Sequence, residues 1–428
     1  MIHISNLRKE SSGGWTKLIV DITHGGGGSA NLLAEPVMWM AVKDEYAYML
    51  SDDVYDAFVL VPLYLGMYYK EDIHIHGCVS KKLYKNVMNY LQRILCDFSD
   101  ELSRINITVD GFKTADGEPE IIGAGLSCGV DSLSTVYDWY IKEDDPDYRI
   151  NGLFFFDTGW NGDFHDDKSM ELCLERYGMN KSAADELGLP LYLVITNFHS
   201  FTYSLYWGVS SQAGYFANYS CALGLQRAVK KYYTSNCFSY VQMLTFGLKR
   251  REKDFAEFSE SYSVPLIRTE KLELVIDGCQ YERSTKIERL ADWDIARKYL
   301  SPCGGRSHSI HDMHSRNCSS CRKCMHVMMT LDALGRLEDF SGIFDITEYR
   351  KHLRFEKAAA VYEHYKGIPD GNEPDIYVFL KHKGMDLPSY PAAWMYFFPR
   401  RAVLFTKKLM RRLLGDKIYD AVKHTLKH

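Results

Sequence analysis

The spacing of apolar positions changes character along the chain. Up to residue 117, short apolar stretches read as strands at Thr16–Ile22 and Pro36–Val42, separated by a flexible Gly25–Gly28 run. From Leu83 to Phe98 the period becomes helical, with Val87, Tyr90, Leu91, Ile94 and Leu95 on one face, and Ile105–Val109 closes the segment as a short strand. These elements predict an α+β accessory module over residues 1–117. After the polar turn Thr114–Pro119 the rhythm turns to strand–helix alternation: strand Ile121–Ser127, helix Asp131–Ile141, strand Leu153–Phe156, helix Lys168–Leu187, strand Leu191–Ile195, helix Tyr215–Tyr232, strand Phe238–Leu244. Such alternation predicts an α/β fold, a parallel sheet with helices on both faces. Ligands of these sheets bind beyond the C-terminal strand ends, which draws attention to the loops after Ser127, Asp157 and Thr196. A helix-rich stretch from Glu282 to Leu337 completes a core over 118–340, and 341–428 reads as a helical C-terminal region.

Length and composition agree with this layout. The 428 residues allow about three domains at roughly 150 residues each. With 46% apolar and 25% charged residues the chain has the balance of a globular protein. A net charge of −5 excludes a polycation built for duplex nucleic acid. The longest apolar run, Ala57–Tyr69, contains Pro62 and falls short of the roughly 18 residues a spanning helix needs. Met1–Trp15 lacks a signal-peptide core, so a soluble, cytoplasmic protein is expected. The charge is unevenly spread: nine Lys or Arg stand against two Asp from Arg400 to His428, a balance of +7 that leaves −12 on the rest. There Met410, Leu414, Ile418, Val422 and Leu426 recur every four residues beside Lys407, Lys408, Arg411 and Arg412. A cationic amphipathic helix of this kind suits its own acidic body, the reading preferred here, or an anionic membrane surface or nucleic acid.

The string Gly125-Leu126-Ser127-Cys128-Gly129-Val130-Asp131-Ser132 leaves a strand and opens a helix, where backbone N–H groups and the positive helix end favour an anion. Ser127 and Ser132 offer hydroxyls, Gly129 permits close approach, and Asp131 suits either a helix cap or a magnesium ligand. A Walker loop is excluded because no lysine occurs here, and the dinucleotide fingerprint fails at Cys128. The alternative is a plain strand–turn–helix junction; the surrounding alternation favours an ATP site.

Eleven cysteines, an odd number without a secretory signal, point to a reducing compartment. Seven are scattered singly; Cys303, Cys318, Cys321 and Cys324 form Cys-x14-Cys-x2-Cys-x2-Cys. Four thiolates at this spacing suit structural Zn²⁺, with no open position for catalysis, and an iron–sulfur cluster is not separated from it by spacing. A zinc deaminase pattern fails after Pro302-Cys303. His308, His311, His314 and His326 lie in the same stretch as alternative ligands.

The phosphate string resembles the Ser-Gly-Gly-x-Asp-Ser loop of the PP-loop ATP pyrophosphatases, with Cys128 in place of the first glycine. Since cysteine avoids glycine's freer backbone angles, Cys128 is expected to tighten the loop or bring a thiol near the phosphates. Loop and cysteine cluster in this order, with Asp185–Pro190 and Ser284–Glu288, are similar to the 7-cyano-7-deazaguanine synthases over Glu120–Leu337. The resemblance implies an adenine-nucleotide α-hydrolase-like fold, ATP, Mg²⁺ and Zn²⁺ as cofactors, and a deazaguanine-type carboxylate as substrate, adenylated and then converted to an amide or nitrile. It further implies ATP contacts from Ser127, Cys128, Gly129, Val130, Asp131 and Ser132, while Asp157, at the second strand's end, suits the nucleotide or magnesium and equally a helix cap for the Thr158–Asp167 loop. Asp131 and Lys286 are the candidate catalytic pair, Lys286 as a cation on phosphate, although a surface lysine on a helix reads equally well. Asn197 and His199 are placed at the mouth of the site.

The family's substrate string is missing between Tyr240 and Thr285, and its members lack the front module and the tail. Extended relatives in bacterial accessory or antiviral-defence clusters are the better likeness, with an amine or a protein N-terminus as acceptor. Two other classes are a tRNA-modifying PP-loop enzyme using Cys128 or the cluster, disfavoured by the acidic body, and a non-catalytic nucleotide-binding scaffold.

Overall fold

The computed structural model describes residues 1–25, 33, 35–159, 167–203, 205, 207–249, 259–302, 317–366 and 376–396. Two compact units divide the chain, Met1–Ser301 and Pro302–His428.

The first unit is built on one ten-stranded mixed sheet. Its strands are β1 (Ile2–Ser12), β2 (Trp15–His24), β3 (Val37–Lys43), β4 (Ile73–Val79), β5 (Ile107–Phe112), β6 (Ile121–Gly125), β7 (Gly152–Asp157), β8 (Leu191–Thr196), β9 (Val229–Ser235) and β10 (Glu273–Asp277). They are ordered β10-β9-β6-β7-β8-β3-β2-β1-β4-β5. The block β10-β9-β6-β7-β8 is parallel throughout. Counted from β6, its order is 3-2-1-4-5, and the winding reverses between β6 and β9, where open α/β sheets form a ligand crevice.

The block is parallel as the core was expected to be, but one pairing makes the whole sheet mixed and joins the front strands to it, against the expected division at residue 117. β3 joins β8 antiparallel, Met40 opposite Thr196 and Val42 opposite Val194. The front meander β3-β2-β1 therefore extends the parallel block instead of forming its own module. The physical reason lies in β3 and β8, whose inward side chains are apolar on both faces: Met40 and Val194 enter the main core, while Ala41, Leu193 and Ile195 pack with Cys173 on the other side. Leaving that edge unpaired would strand buried backbone N–H and C=O groups.

Farther out, among the described residues, the sheet is covered on one face only. In β1 and β4 the alternation Ile-His-Ile buries Ile2, Ile4, Ile73 and Ile75 and turns the histidines outward. The apolar run Ala57–Tyr69 supplies the cover as helix Leu60–Tyr69, with Leu60, Val61, Leu63, Tyr64, Leu65 and Met67 all buried. Pro62 sits in its first turn, where a missing N–H costs nothing.

A second correction concerns β9. The text Phe238–Leu244, expected as a strand, forms the start of helix Tyr240–Lys249, and the strand lies earlier at Val229–Ser235, where a helix end was expected. A capping box decides it: the Ser239 N–H donates to Gln242 Oε1 at 2.9 Å, and the Gln242 N–H returns to Ser239 Oγ at 3.2 Å.

In the second unit, helices Arg322–Ala333, Ile346–Lys366 and Ile376–His382 surround a core that includes Met325, Met328, Leu331, Tyr349 and Leu380. The cysteines expected within a 118–340 core belong to this unit. Among the described residues no helix is long and apolar enough to cross a membrane. The basic tail from Arg400 lies outside the described residues.

Candidate functional site

At the winding reversal, the loop after β6 faces the C-terminal end of β9. Gly129 is the N-cap of helix Val130–Val136, in extended conformation with φ −72° and ψ 167°. Ser127 and Ser132 close the loop: their hydroxyls lie 3.1 Å apart, the Ser127 N–H points to Ser132 Oγ at 3.3 Å, and Ser132 Oγ donates to the Gly129 carbonyl at 3.2 Å. Cys128 has φ +54°, the left-handed conformation glycine adopts freely. The expectation that cysteine would avoid this conformation is corrected. The backbone keeps the glycine-like bend, and the Ser301 N–H secures it by donating to the Cys128 carbonyl at 2.7 Å. The thiol itself is 1% exposed.

Asp131, two residues into the helix, makes no cap hydrogen bond; Gly129 holds that position. Its two oxygens instead accept from two cations on helix Arg283–Leu290: Lys286 Nζ to Oδ1 at 2.9 Å and an Arg283 guanidinium nitrogen to Oδ2 at 2.8 Å. Burial alone would raise its carboxyl, but Arg283 and then Lys286 outweigh it and hold the pKa below the ordinary 3.8. Lys286 is fully buried, so the surface-lysine reading is overturned. Its Nζ also donates to the Asn236 carbonyl at 2.5 Å, and these two bonds use two of the three ammonium hydrogens. Space for the ammonium comes from Gly278: with φ +83°, a Cβ there would lie 2.9 Å from Nζ.

Beneath the cations a polar chain runs into the interior. Asn236 Nδ2 donates to Glu260 Oε2 at 2.5 Å, and the Tyr219 hydroxyl donates to Glu260 Oε1. Farther along the same helix pair, Arg289 grips Asp138 with both guanidinium ends, one at 2.9 Å. Asp277, closing β10, takes the Thr135 hydroxyl at 2.6 Å and the Trp139 indole at 2.9 Å. The helix carrying Asp131 and the helix carrying Lys286 are thus stitched together over two turns. Burial pushes the neighbouring Cys279 thiol up to about 12.

Other expected residues are placed differently. Asp157 ends β7 with 2% exposure; Gly159 N–H donates to it at 3.3 Å, and it hydrogen-bonds the Cys173 thiol. Asn197 clamps β3 to β8, accepting the Trp39 N–H at 2.8 Å and donating to the Val37 carbonyl and Glu35 at 2.9 Å each. It is a strand clasp, not a lining residue. His199 packs on Tyr203 with ring centres 5.3 Å apart.

Within the second unit, Cys318, Cys321 and Cys324 bring their sulfurs within 4.8 Å of one another. Ser319 at φ +57° bends the chain back, so that the Cys321 N–H donates to Cys318 Sγ at 3.3 Å. Cys318 and Cys324 sulfurs stand 3.9 Å apart. Three converging sulfurs with an amide aimed at one of them fit Zn²⁺ or an iron–sulfur cluster in donor chemistry. Cys303 and His308, His311 and His314 lie outside the described residues, and His326 is buried on helix Arg322–Ala333.

Arg283, Asn236, Glu260 and Gly278 were not foreseen. Arg283 stood three residues before Lys286, on the same helix face, and Asn236 was hidden by the misplaced strand. Compared with known protein families, curated proteins and solved structures, the chain has no match.

Proposed function

We propose that the chain is an ATP-dependent, pyrophosphate-releasing synthase of the PP-loop kind that forms a carbon–nitrogen bond at an activated carboxylate. One observation carries the reading: the Ser127–Ser132 loop lies at the winding reversal of a 3-2-1-4-5 parallel block, with the fully buried Lys286 and the largely buried Arg283 converging on Asp131 beneath it. Taking two cations out of water to meet a single carboxylate carries a desolvation cost. A phosphate chain above the loop would return part of that cost, because Lys286 retains one N–H and the first-turn amides have no helical acceptor.

In this reading Ser127, Gly129, Val130 and Ser132 cradle the phosphates. Lys286 and Arg283 offset the charge that develops on the leaving pyrophosphate. Asp131 acts as a positioning residue, and its two engaged oxygens make it a poorer magnesium ligand than the sequence suggested. A carboxylate oxygen of the substrate attacks the α-phosphorus, the bond to the β-phosphate oxygen breaks, and pyrophosphate leaves with the electron pair. An amine nitrogen then attacks the acyl carbon, AMP leaves, and the amine gives up a proton. A 7-deazaguanine carboxylate is the first substrate class to test, with ammonia or a protein amine as acceptor. Zn²⁺ on Cys318, Cys321, Cys324 and Cys303 would brace the second unit. The buried Cys128 speaks against the route through that thiol in the tRNA-modifying alternative.

The test is pyrophosphate and AMP release from ATP, measured with 7-carboxy-7-deazaguanine and a panel of other carboxylates. Release that depends on the deazaguanine acid is expected. Release with a different acid alone overturns the substrate, and no ATP binding at all overturns the site.

A further inference from the structure

Away from the phosphate loop, the solvent face of the front strands collects imidazoles. The register sets His3 on β1 opposite His74 on β4, and His74 opposite Thr108 on β5, while alternation places His76 and Asp110 on the same face two residues on. The His74 and His76 rings meet with centroids 4.2 Å apart, and His3 stacks on His76 at 5.4 Å. One ligand atom from each of His74, His76 and Asp110 falls within 4.8 Å of the others.

We propose that His74, His76 and Asp110 form a binding site for a borderline divalent transition-metal ion such as Zn²⁺, separate from the cysteine centre. Metal bonds of about 2.0–2.2 Å place tetrahedral ligands a little over 3 Å apart. His74 Nε2 and Asp110 Oδ1 are 3.1 Å apart. The other nitrogen, His74 Nδ1, lies 2.6 Å from Thr108 Oγ1, whose hydroxyl reaches the Ile73 carbonyl at 3.4 Å. With Nδ1–H given to Thr108, the Nε2 lone pair faces a carboxylate oxygen, an arrangement that a cation between them resolves. His3 Nδ1, 3.1 Å from His76 Nε2, helps fix the orientation of the second imidazole. The side chains of His74 and Asp110 are 27% and 53% exposed, so an ion can enter and keep water in its remaining positions. Six strand spacings separate β4 from β6, about 29 Å at roughly 4.8 Å each, so this site is independent of the phosphate loop.

The probe is Co²⁺, titrated into untagged full-length protein whose cysteines have first been saturated by added Zn²⁺ and the excess removed, followed by calorimetry and visible absorption. One further equivalent of Co²⁺ is expected, with a nitrogen–oxygen spectrum free of sulfur charge-transfer bands. The double variant His74→Gln/His76→Gln weakens it by at least about tenfold, and Thr108→Val, which keeps all three ligands, weakens it less. Asp110→Asn repeats the test should the double variant lose its native circular dichroism. No uptake beyond the cysteine centre, sulfur bands on the added Co²⁺, or unchanged affinity in the histidine and aspartate variants overturns the proposal.

Discussion

Two aspartates at opposite ends of the first unit are held by opposite means. Asp56 is completely buried, and its partners are neutral: the Ser80 N–H at 2.7 Å, the Ser80 hydroxyl, and Gln226 Nε2 at 2.8 Å. Burial prevails over these bonds and pushes its carboxyl up to about 6. Asp131 meets a guanidinium and an ammonium, and its carboxyl goes down. Neutral donors satisfy geometry but leave the charge optional, whereas two buried cations make the charge indispensable. Asp56 ties the segment before helix Leu60–Tyr69 to the strand connections around it. Asp131 holds an arrangement that costs the fold more than packing needs, which is what supports the proposed site.

The most severe way to break this comparison is Lys286→Met. It leaves Asp131 with one cation and Asn236 without its ammonium partner, and a broken buried pair costs roughly 3–5 kcal/mol. Urea unfolding should show a loss of that size, with pyrophosphate release abolished; a change within 1 kcal/mol, on the order of a surface pair, would remove the distinction between the two aspartates.

Acidity sharpens the comparison because the signs differ. The folded pKa of Asp131 lies below 3.8, so its stabilisation is present above that value and is lost as the pH falls through the folded pKa. The gap between wild type and Asp131→Asn should therefore be widest above pH 3.8 and close in acid. For Asp56 the folded pKa is raised, so its contribution is full below 3.8 and is lost as the pH rises through about 6. Asp56→Asn should gain on wild type between those values, by about 3 kcal/mol once the pH exceeds 6. Denaturant midpoints across pH 3–8 check both; parallel profiles for the two variants would refute the contrast.

The smallest effect is expected at Cys128→Gly. Relief of a left-handed non-glycine residue, worth about 1–2 kcal/mol, is offset by loss of a buried thiol, for a net change within about 1 kcal/mol. Pyrophosphate release should persist, and its loss would instead restore a chemical role to the thiol.

Local signals carried the parallel half well. The strands at residues 121, 153 and 191 and the loop between Ser127 and Ser132 were legible because the loop is a contiguous string tied to one strand–helix junction. The Ser239–Gln242 capping box was equally readable, but the aromatic text around it has strong strand propensity and concealed it. β1 and β4 escaped notice because their Ile-His alternation is short and mixes with charged residues.

The sequence by itself determined the α/β alternation, the Ser127–Ser132 string at a strand–helix junction and the grouping of the cysteines, since each depends on residues that are neighbours along the chain. Tertiary structure alone decided that β3 pairs with β8, that Lys286 and Arg283 come from 155 and 152 residues away to grip Asp131, and that His3, His74, His76 and Asp110 share a face. Those outcomes depend on which edges and charges must be covered once the core closes, and no local pattern encodes that requirement.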